Sequence, residues 1–267
     1  SHSLSPHIHN AAFEQLGLNK AYVPFRVRPE DLEQFMHDCR ELGIRGISVT
    51  IPHKEEILNF ATRFDNAVQE IGACNTIVWE GENRHGYNTD YRAAMDSIDD
   101  MFTGNEKDGS GLQGKKALVL GAGGVARAIV IGLARRGAEI TIASRTPERA
   151  EELATCCKGK SVGWGVRHAV EADLLVNCTP VGMHPNLDDT PYEHEYLKPE
   201  MVVFDTVYNP ENTLLLKKAR ELGCRVITGV DMFIGQAALQ FRLFTGQQAP
   251  TELMRQVIRR TISAVKY

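Results

Sequence analysis

The sequence predicts a two-lobed α/β protein, and three observations predict it. Short apolar runs of strand length alternate with helix-length amphipathic segments along the chain. A stretch with little to bury, Gly104-Asn105-Glu106-Lys107-Asp108-Gly109-Ser110-Gly111, interrupts the alternation and reads as a linker. Beyond it, Ala117-Leu118-Val119-Leu120 runs into Gly121-Ala122-Gly123-Gly124-Val125-Ala126 and an apolar-periodic segment through Ile129, Val130 and Leu133. At 267 residues, 43% of them hydrophobic, the chain can bury the cores of two modest domains.

In the first lobe, Pro6 to Leu16 reads as a helix with Ser5 as N-cap and Pro6 at its first position. Tyr22 to Val27 is a short strand, Pro29 to Leu42 a helix closed by Gly43, and Gly46 to Ile51 a strand leading into Pro52-His53-Lys54. A helix follows near Asn66 to Ile71, then strands at Thr76 to Trp79 and Arg84 to Asn88, and a helix from Asp90 to about Phe102. These units predict a mainly parallel sheet covered by helices. The lobe is expected to span 1–102, completed by C-terminal helices over 238–267 that return to it. Those helices belong to a tail from Asp231 that Thr245-Gly246 breaks in two.

The second lobe is expected over 112–237. A buried strand, a glycine turn and a helix N-terminus come there in the order a dinucleotide pyrophosphate needs. Gly121 permits the turn, Gly123 lets backbone approach phosphate, and the small Ala126 lets helix and strand pack. The helix start supplies free N–H groups and a positive dipole end for the anion. This is the pattern of a Rossmann-type domain, against the plainer alternative of an ordinary strand-to-helix turn. The next strand, Glu139 to Ala143, ends at Ser144-Arg145-Thr146, with Arg149 one helical turn further on. An NAD site usually places Asp or Glu at this strand end, and none is present. Arg145 can meet a 2′-phosphate with a planar fork of donors and Thr146 adds a hydroxyl, so NADP is expected. Further strands are read at Leu174 to Cys178, Met201 to Thr206 and Arg225 to Thr228.

A formal net charge of −4 gives no sign of a nucleic-acid or anionic-membrane surface. No apolar run approaches the roughly 20 residues of a membrane-spanning helix, and nothing resembles a signal peptide. The six cysteines show no CxxC pair and no Cys/His metal spacing, so reduced thiols in a cytoplasmic protein are expected, and no metal.

Polar residues gather where the first lobe's strands end, which is where open α/β sheets bind ligands. Thr50 and Lys54 flank one end, Asn75 begins another strand, and Asn88-Thr89-Asp90 closes a third. Lys54 is the candidate for proton transfer. An amine that loses hydration gives up its proton more readily, and a carboxylate such as Asp90 opposes that while orienting it. Spacing alone does not pair the two, and a surface lysine is the alternative.

His2-Ser3-Leu4-Ser5-Pro6, Ser48 to Lys54 (SVTIPHK), Ala73-Cys74-Asn75-Thr76 and Gly86-Tyr87-Asn88-Thr89-Asp90 resemble, in order, the substrate-lobe motifs of shikimate dehydrogenases. The glycine turn, Ser144-Arg145-Thr146, Asn177 to Met183 (NCTPVGM), Tyr208-Asn209-Pro210 and Met232 to Ala237 (MFIGQA) agree, so the resemblance spans nearly the whole chain. It implies NADP-dependent reduction of 3-dehydroshikimate, with Lys54 and Asp90 catalytic. It implies Ser3 and Ser5 on the substrate carboxylate, and Thr50, Asn75, Asp90 and Gln236 on the ring hydroxyls. Tyr208 would lie over the substrate, and Asn177, Thr179 and Met183 would flank the nicotinamide. Gly121, Ala122, Gly123, Gly124, Val125, Ala126, Ser144, Arg145, Thr146, Arg149 and Gly229 complete the implied cofactor set. Ser144 stands where many members have Asn. The Tyr-Asn-Thr-Asp-Tyr and Met-Phe-Ile-Gly-Gln versions look most like the dehydrogenase half of bifunctional dehydroquinate dehydratase–shikimate dehydrogenases. That implies a fused upstream dehydratase and, for a plant protein, a plastid location. Family members carry a strand before the His-Ser motif, and its absence here is expected to expose a strand edge and loosen the serine pair. Quinate or dual quinate/shikimate dehydrogenase, a non-catalytic sensor of these ligands, and a folate- or amino-acid-type dehydrogenase are the alternatives.

Overall fold

The computed structural model describes residues 3–103 and 110–264. The expected linker therefore lies largely outside the described residues, as does His2. The chain divides into two units. One takes the residues up to Arg92 together with those from Ile234 onward, and the other runs from Ala93 to Phe233.

The first unit opens with helix α1 (Ser5–Gln15) and α2 (Leu32–Glu41). The strands are β1 (Gly46–Ser48), β2 (Arg63–Phe64), β3 (Thr76–Glu80) and β4 (Asn83–Tyr87), with α3 (Asn66–Ile71) between β2 and β3. They form a four-stranded sheet in the order β1-β3-β4-β2. The expectation of a mainly parallel sheet is corrected here. β1–β3 and β3–β4 pair antiparallel and only β2–β4 pairs parallel. The cause is local: β3 and β4 are joined by the tight turn Gly81-Glu82, with Gly81 at φ 63°, whereas a parallel pair needs a crossover of about a dozen residues or more. Leu32, Met36, Ile57, Val68 and Ile77 fill the core beneath the sheet.

Two further expectations fail for physical reasons. Ser5 is not an N-cap: the helix already begins at Ser5, its cap residue is Leu4, and the hydroxyl of Ser3 accepts the Ser5 backbone N–H at 3.3 Å. Tyr22 to Val27 is not a strand. The side-chain amide of Asn10 takes both backbone groups of Tyr22, accepting its N–H at 2.7 Å and donating to its carbonyl at 3.0 Å. A side chain has replaced a neighbouring strand as the hydrogen-bond partner.

Helix α4 (Thr89–Thr103) starts in the first unit. The second unit then alternates strand and helix through β5 (Lys116–Leu120), α5 (Gly124–Arg135), β6 (Glu139–Ser144), α6 (Pro147–Cys157) and β7 (Lys160–Gly163). It continues with β8 (Leu174–Asn177), β9 (Val202–Asp205), α7 (Leu214–Glu221) and β10 (Arg225–Ile227). All pairings in this six-stranded sheet, ordered β10-β9-β8-β5-β6-β7, are parallel. Leu118, Leu120, Leu175 and Val203 are wholly buried in its core, as a sheet covered on both faces requires. β7, a short polar edge strand, carries no apolar run by which the sequence could announce it. Helices α8 (Gly229–Thr245) and α9 (Thr251–Ala264) close the chain, and from Ile234 onward they belong to the first unit, where α9 packs along α1. The aromatic rings of Phe13 on α1 and Phe241 on α8 lie 5.4 Å apart.

Candidate active site

In the first unit, the loop after β1 and the start of α4 bring two charges together. The Lys54 ammonium donates to Asp90 Oδ2 at 2.6 Å, with the side chains 23% and 17% exposed. Each is placed by backbone. The carbonyl of Lys54 accepts the Cys74 N–H at 2.8 Å. Asp90 sits in the first turn of α4, where Asn88 Oδ1 accepts the Tyr91 N–H at 3.0 Å. The pair is thus held near the surface yet mostly out of water.

Beside it lies a buried polar chain. Asn75 Oδ1 accepts from the Thr89 N–H at 2.8 Å and the Thr76 hydroxyl at 2.9 Å, while its Nδ2 donates to Thr89 Oγ1 at 2.9 Å. Gln240 extends the chain, donating to Thr76 Oγ1 at 2.9 Å and accepting from the Ser48 hydroxyl at 2.9 Å. Gln240 was not among the sequence candidates. Its one signal is position, a helical turn beyond Gln236 on α8, which is also buried. Burial pushes the Tyr22 phenol up, and contacts to Ser48 and Ser5 pull it back in part. Ser3 and Thr50 are exposed and Ser5 half-buried.

In the second unit, the glycine turn has the conformation its sequence predicts. Gly121 takes φ 103° and donates its N–H to the Ala143 carbonyl at 2.8 Å; a Cβ there would sit 3.1 Å from the Cys178 carbonyl oxygen. Gly123 caps α5 with extended backbone, and a Cβ at Gly123 or Gly124 would meet nothing within 4 Å. Both are exposed, whereas Ala126 is fully buried against the sheet. The turn lies beside the junction of β5 and β8, where the strand order reverses. At the end of β6, Ser144 is buried and its hydroxyl accepts the Thr146 N–H at 3.1 Å, leaving Arg145 and Arg149 exposed. Open space at the glycines, an anion-favouring helix start and exposed guanidinium groups suit a phosphorylated dinucleotide.

The ends of β8 and β9 form a second polar cluster. Asn177 accepts from the Thr179 N–H and hydroxyl at 2.9 and 2.7 Å. It donates to Asp205 Oδ1 at 2.9 Å and to the Val181 carbonyl at 3.3 Å. Asn177 is wholly buried with its amide fully engaged, so the side chain itself is not open to a ligand. Met183 is 43% exposed. The Tyr208 ring packs 5.1 Å from that of Phe233, and burial pushes its phenol up. Gly229 is buried where α8 begins; a Cβ there would run into the backbone of Val207. Among the described residues, no group of three or more His, Cys, Asp or Glu could hold a metal ion.

Three family models match along this chain. Residues 1–77 match the shikimate dehydrogenase substrate binding domain, 105–181 the shikimate/quinate 5-dehydrogenase model, and 229–259 the shikimate 5′-dehydrogenase C-terminal domain. A shikimate dehydrogenase (NADP(+)) of Moorella thermoacetica is 42% identical, over 98% of this chain and 90% of its own. The chain belongs to the shikimate dehydrogenase family. Among solved shikimate dehydrogenases, one in complex with NADP+ superimposes with a TM-score of 0.88 at 39% identity, covering 98% of this chain and 92% of its own. That of Thermus thermophilus, in complex with NADP(H) and shikimate, gives a TM-score of 0.83 at 36% identity over 97% and 95%. Shikimate dehydrogenase structures combine a substrate domain with an NADP-binding domain, and the α/β architecture here matches them. Asp205 is the residue of this second cluster that the sequence motifs did not single out. In sequence it lies inside the predicted strand Met201 to Thr206, where nothing marks it as a site residue.

Proposed function

We propose that this chain catalyses the reversible NADP-dependent reduction of 3-dehydroshikimate to shikimate. The observation that carries the reading is the Lys54–Asp90 pair at 2.6 Å, in a chain of the shikimate dehydrogenase family. NADP, when bound, supplies or accepts the hydride. Lys54 gives a proton to the carbonyl oxygen as the ketone is reduced, and takes it from the hydroxyl in the reverse direction. Asp90 fixes the ammonium and accepts from a neighbouring ring hydroxyl. Ser3 and Ser5 donate to the substrate carboxylate, and Thr50, Asn75 and Gln236 hold the ring hydroxyls. A site whose buried groups are matched to hydroxyls rejects analogues that lack them. Tyr208 lies over the substrate. Gly121 to Ala126 receive the pyrophosphate, with Gly123 and Gly124 giving it room. Arg145, Arg149 and Thr146 hold the 2′-phosphate, with Ser144 shaping the strand end. Thr179, Met183 and Gly229 border the nicotinamide, while Asn177 acts through Thr179.

The test is nicotinamide absorbance with purified protein, NADP and shikimate, beside quinate and NAD controls. Shikimate-dependent NADP reduction is expected. Lys54→Ala should cut turnover by about 100-fold or more with little change in substrate affinity. Near-normal turnover removes Lys54 from the reaction, and binding without turnover in the wild type favours a ligand sensor.

A further inference from the structure

The strands β8 and β9 end in register, Asn177 opposite Asp205, and both side chains are wholly buried. Among the described residues, the hydrogen bonds of the Asp205 carboxyl all come from donors pointing at it. Oδ1 accepts from Asn177 Nδ2 at 2.9 Å and the Val207 N–H at 3.0 Å, and Oδ2 accepts from the Thr213 hydroxyl at 2.7 Å. Thr213 in turn caps α7 by accepting the Leu216 N–H at 3.3 Å, which directs its own proton to Asp205. The Asn177 amide is thereby oriented without ambiguity: its N–H side faces Asp205 and its oxygen faces Thr179.

One carboxylate therefore anchors two loops at the carboxyl edge of the parallel sheet. Through Asn177 it fixes the segment from Thr179 to Val181, leading to Met183. Through Val207 it fixes the segment that carries Tyr208. A buried carboxylate is expensive to retain, and apolar packing would serve stability at least as well. Burial raises its pKa to about 6, with the hydrogen bonds from Thr213, Val207 and Asn177 opposing the rise. Such a group is kept where acceptors on both oxygens are needed at once.

Building on the function proposed above, we infer that Asp205 is a positioning residue for the nicotinamide end of the cofactor, setting the Thr179–Met183 loop and Tyr208 together. It touches neither cofactor nor substrate and acts through Asn177 and Val207. Its removal should disturb the reacting half of NADP while leaving the adenosine half, held at the glycine turn and Arg145, as it was.

Asp205→Asn tests this, because an amide keeps the shape but presents a donor where one acceptor was. The probes are 2′,5′-ADP, which reports the adenosine half alone, and NADP+, both by calorimetry, with kcat from NADP reduction by shikimate. The expected result is 2′,5′-ADP affinity within about twofold of wild type, weaker NADP+, and kcat lower by on the order of 100-fold, as a misplacement of about 1 Å can produce. Wild-type kcat in the variant overturns the inference. So does an equal loss of 2′,5′-ADP and NADP+ affinity, which makes Asp205 a general support of the fold. If Asp205→Asn does not fold, Thr213→Val removes one donor only, and the same split between the two probes is required of it. A wild-type protein that fails to reduce NADP with shikimate overturns the underlying function instead, and is read before any variant.

Discussion

Replacing Gly123 and Gly121 by alanine, one at a time, separates the two jobs of the glycine turn. Gly123 has φ −91° and ψ −174°, a backbone open to any residue, and a Cβ there meets nothing within 4 Å. Alanine at this position reduces unfolded-state freedom, stabilising by about 0.4–1 kcal/mol, and weakens the cap by a similar amount. Unfolding free energy should thus stay within about 1 kcal/mol of wild type. The added methyl, however, fills the open space at the start of α5 that the proposed site gives to the pyrophosphate. Losing one charge-assisted hydrogen bond there costs about 1.5–3 kcal/mol. That corresponds to roughly 10- to 100-fold weaker NADP+ binding at 1.4 kcal/mol per factor of ten. Gly121 should behave oppositely. Its φ of 103° and the Cys178 carbonyl oxygen 3.1 Å from the would-be Cβ make alanine strained, at a cost of about 1–3 kcal/mol in stability. Urea unfolding and NADP+ calorimetry on both variants give the comparison. A Gly123→Ala protein that binds NADP+ as wild type does refutes the assignment of this turn to the pyrophosphate.

Two more outcomes follow from the same geometry. Arg145 is exposed at the end of β6, so Arg145→Ala should weaken NADPH binding by about tenfold or more while NADH changes by less than about twofold; equal losses mean that Arg145 does not read the 2′-phosphate. His9 is wholly buried, stacked 4.6 Å from the Tyr22 ring, with neither nitrogen hydrogen-bonded among the described residues. Burial lowers its pKa from 6.5 to about 4; Gln240, near the ring but outside hydrogen-bond geometry, opposes this in part. With the folded value below the unfolded one, the stability contributed by the neutral ring is complete above about pH 6.5 and is lost as the pH falls toward 4. Between pH 7 and 5 the loss is about 2 kcal/mol, so His9→Phe should show a urea-unfolding free energy that falls by about that much less over the interval. Parallel pH dependences in the two proteins would count against a neutral buried ring.

The second unit was the more legible in sequence because parallel strands buried on both faces write themselves as unbroken apolar runs. Leu118 to Leu120 and Leu174 to Val176 are such runs, and the strands lie there. The first unit misled on strand direction. Gly81-Glu82 is a hairpin signal, yet the surrounding alternation of helix and strand patterns read as crossovers. Tyr22 to Val27 misled because strand propensity says nothing about whether a partner strand exists, and here Asn10 meets the backbone instead. The Lys54–Asp90 contact joins residues 36 positions apart, so residue chemistry could nominate each member but only the fold could join them. Gln240 and Asp205 were invisible for a related reason. Their significance lies in what they are bonded to, and neither a glutamine on an apolar helix nor an aspartate at a strand end advertises its partners.

Asn75 and Asn177 show how far that distinction reaches. In sequence they are alike: an asparagine beside a cysteine, at one end of a strand, in a motif shared with a family of dehydrogenases. In the structure both are buried, and both amide oxygens accept from a threonine hydroxyl and a threonine backbone N–H. The difference is on the nitrogen. Asn75 Nδ2 spends one N–H on Thr89, whereas Asn177 Nδ2 donates to both Asp205 and Val181. An amide nitrogen has two donors, so among the described residues Asn75 keeps one that could serve a substrate hydroxyl while Asn177 has none. The first is therefore read as a ligand contact and the second as a strut, and the same accounting places Asp205 behind the strut. Removing a donor that a substrate uses should raise KM, whereas loosening a strut should lower kcat with the adenosine half still bound.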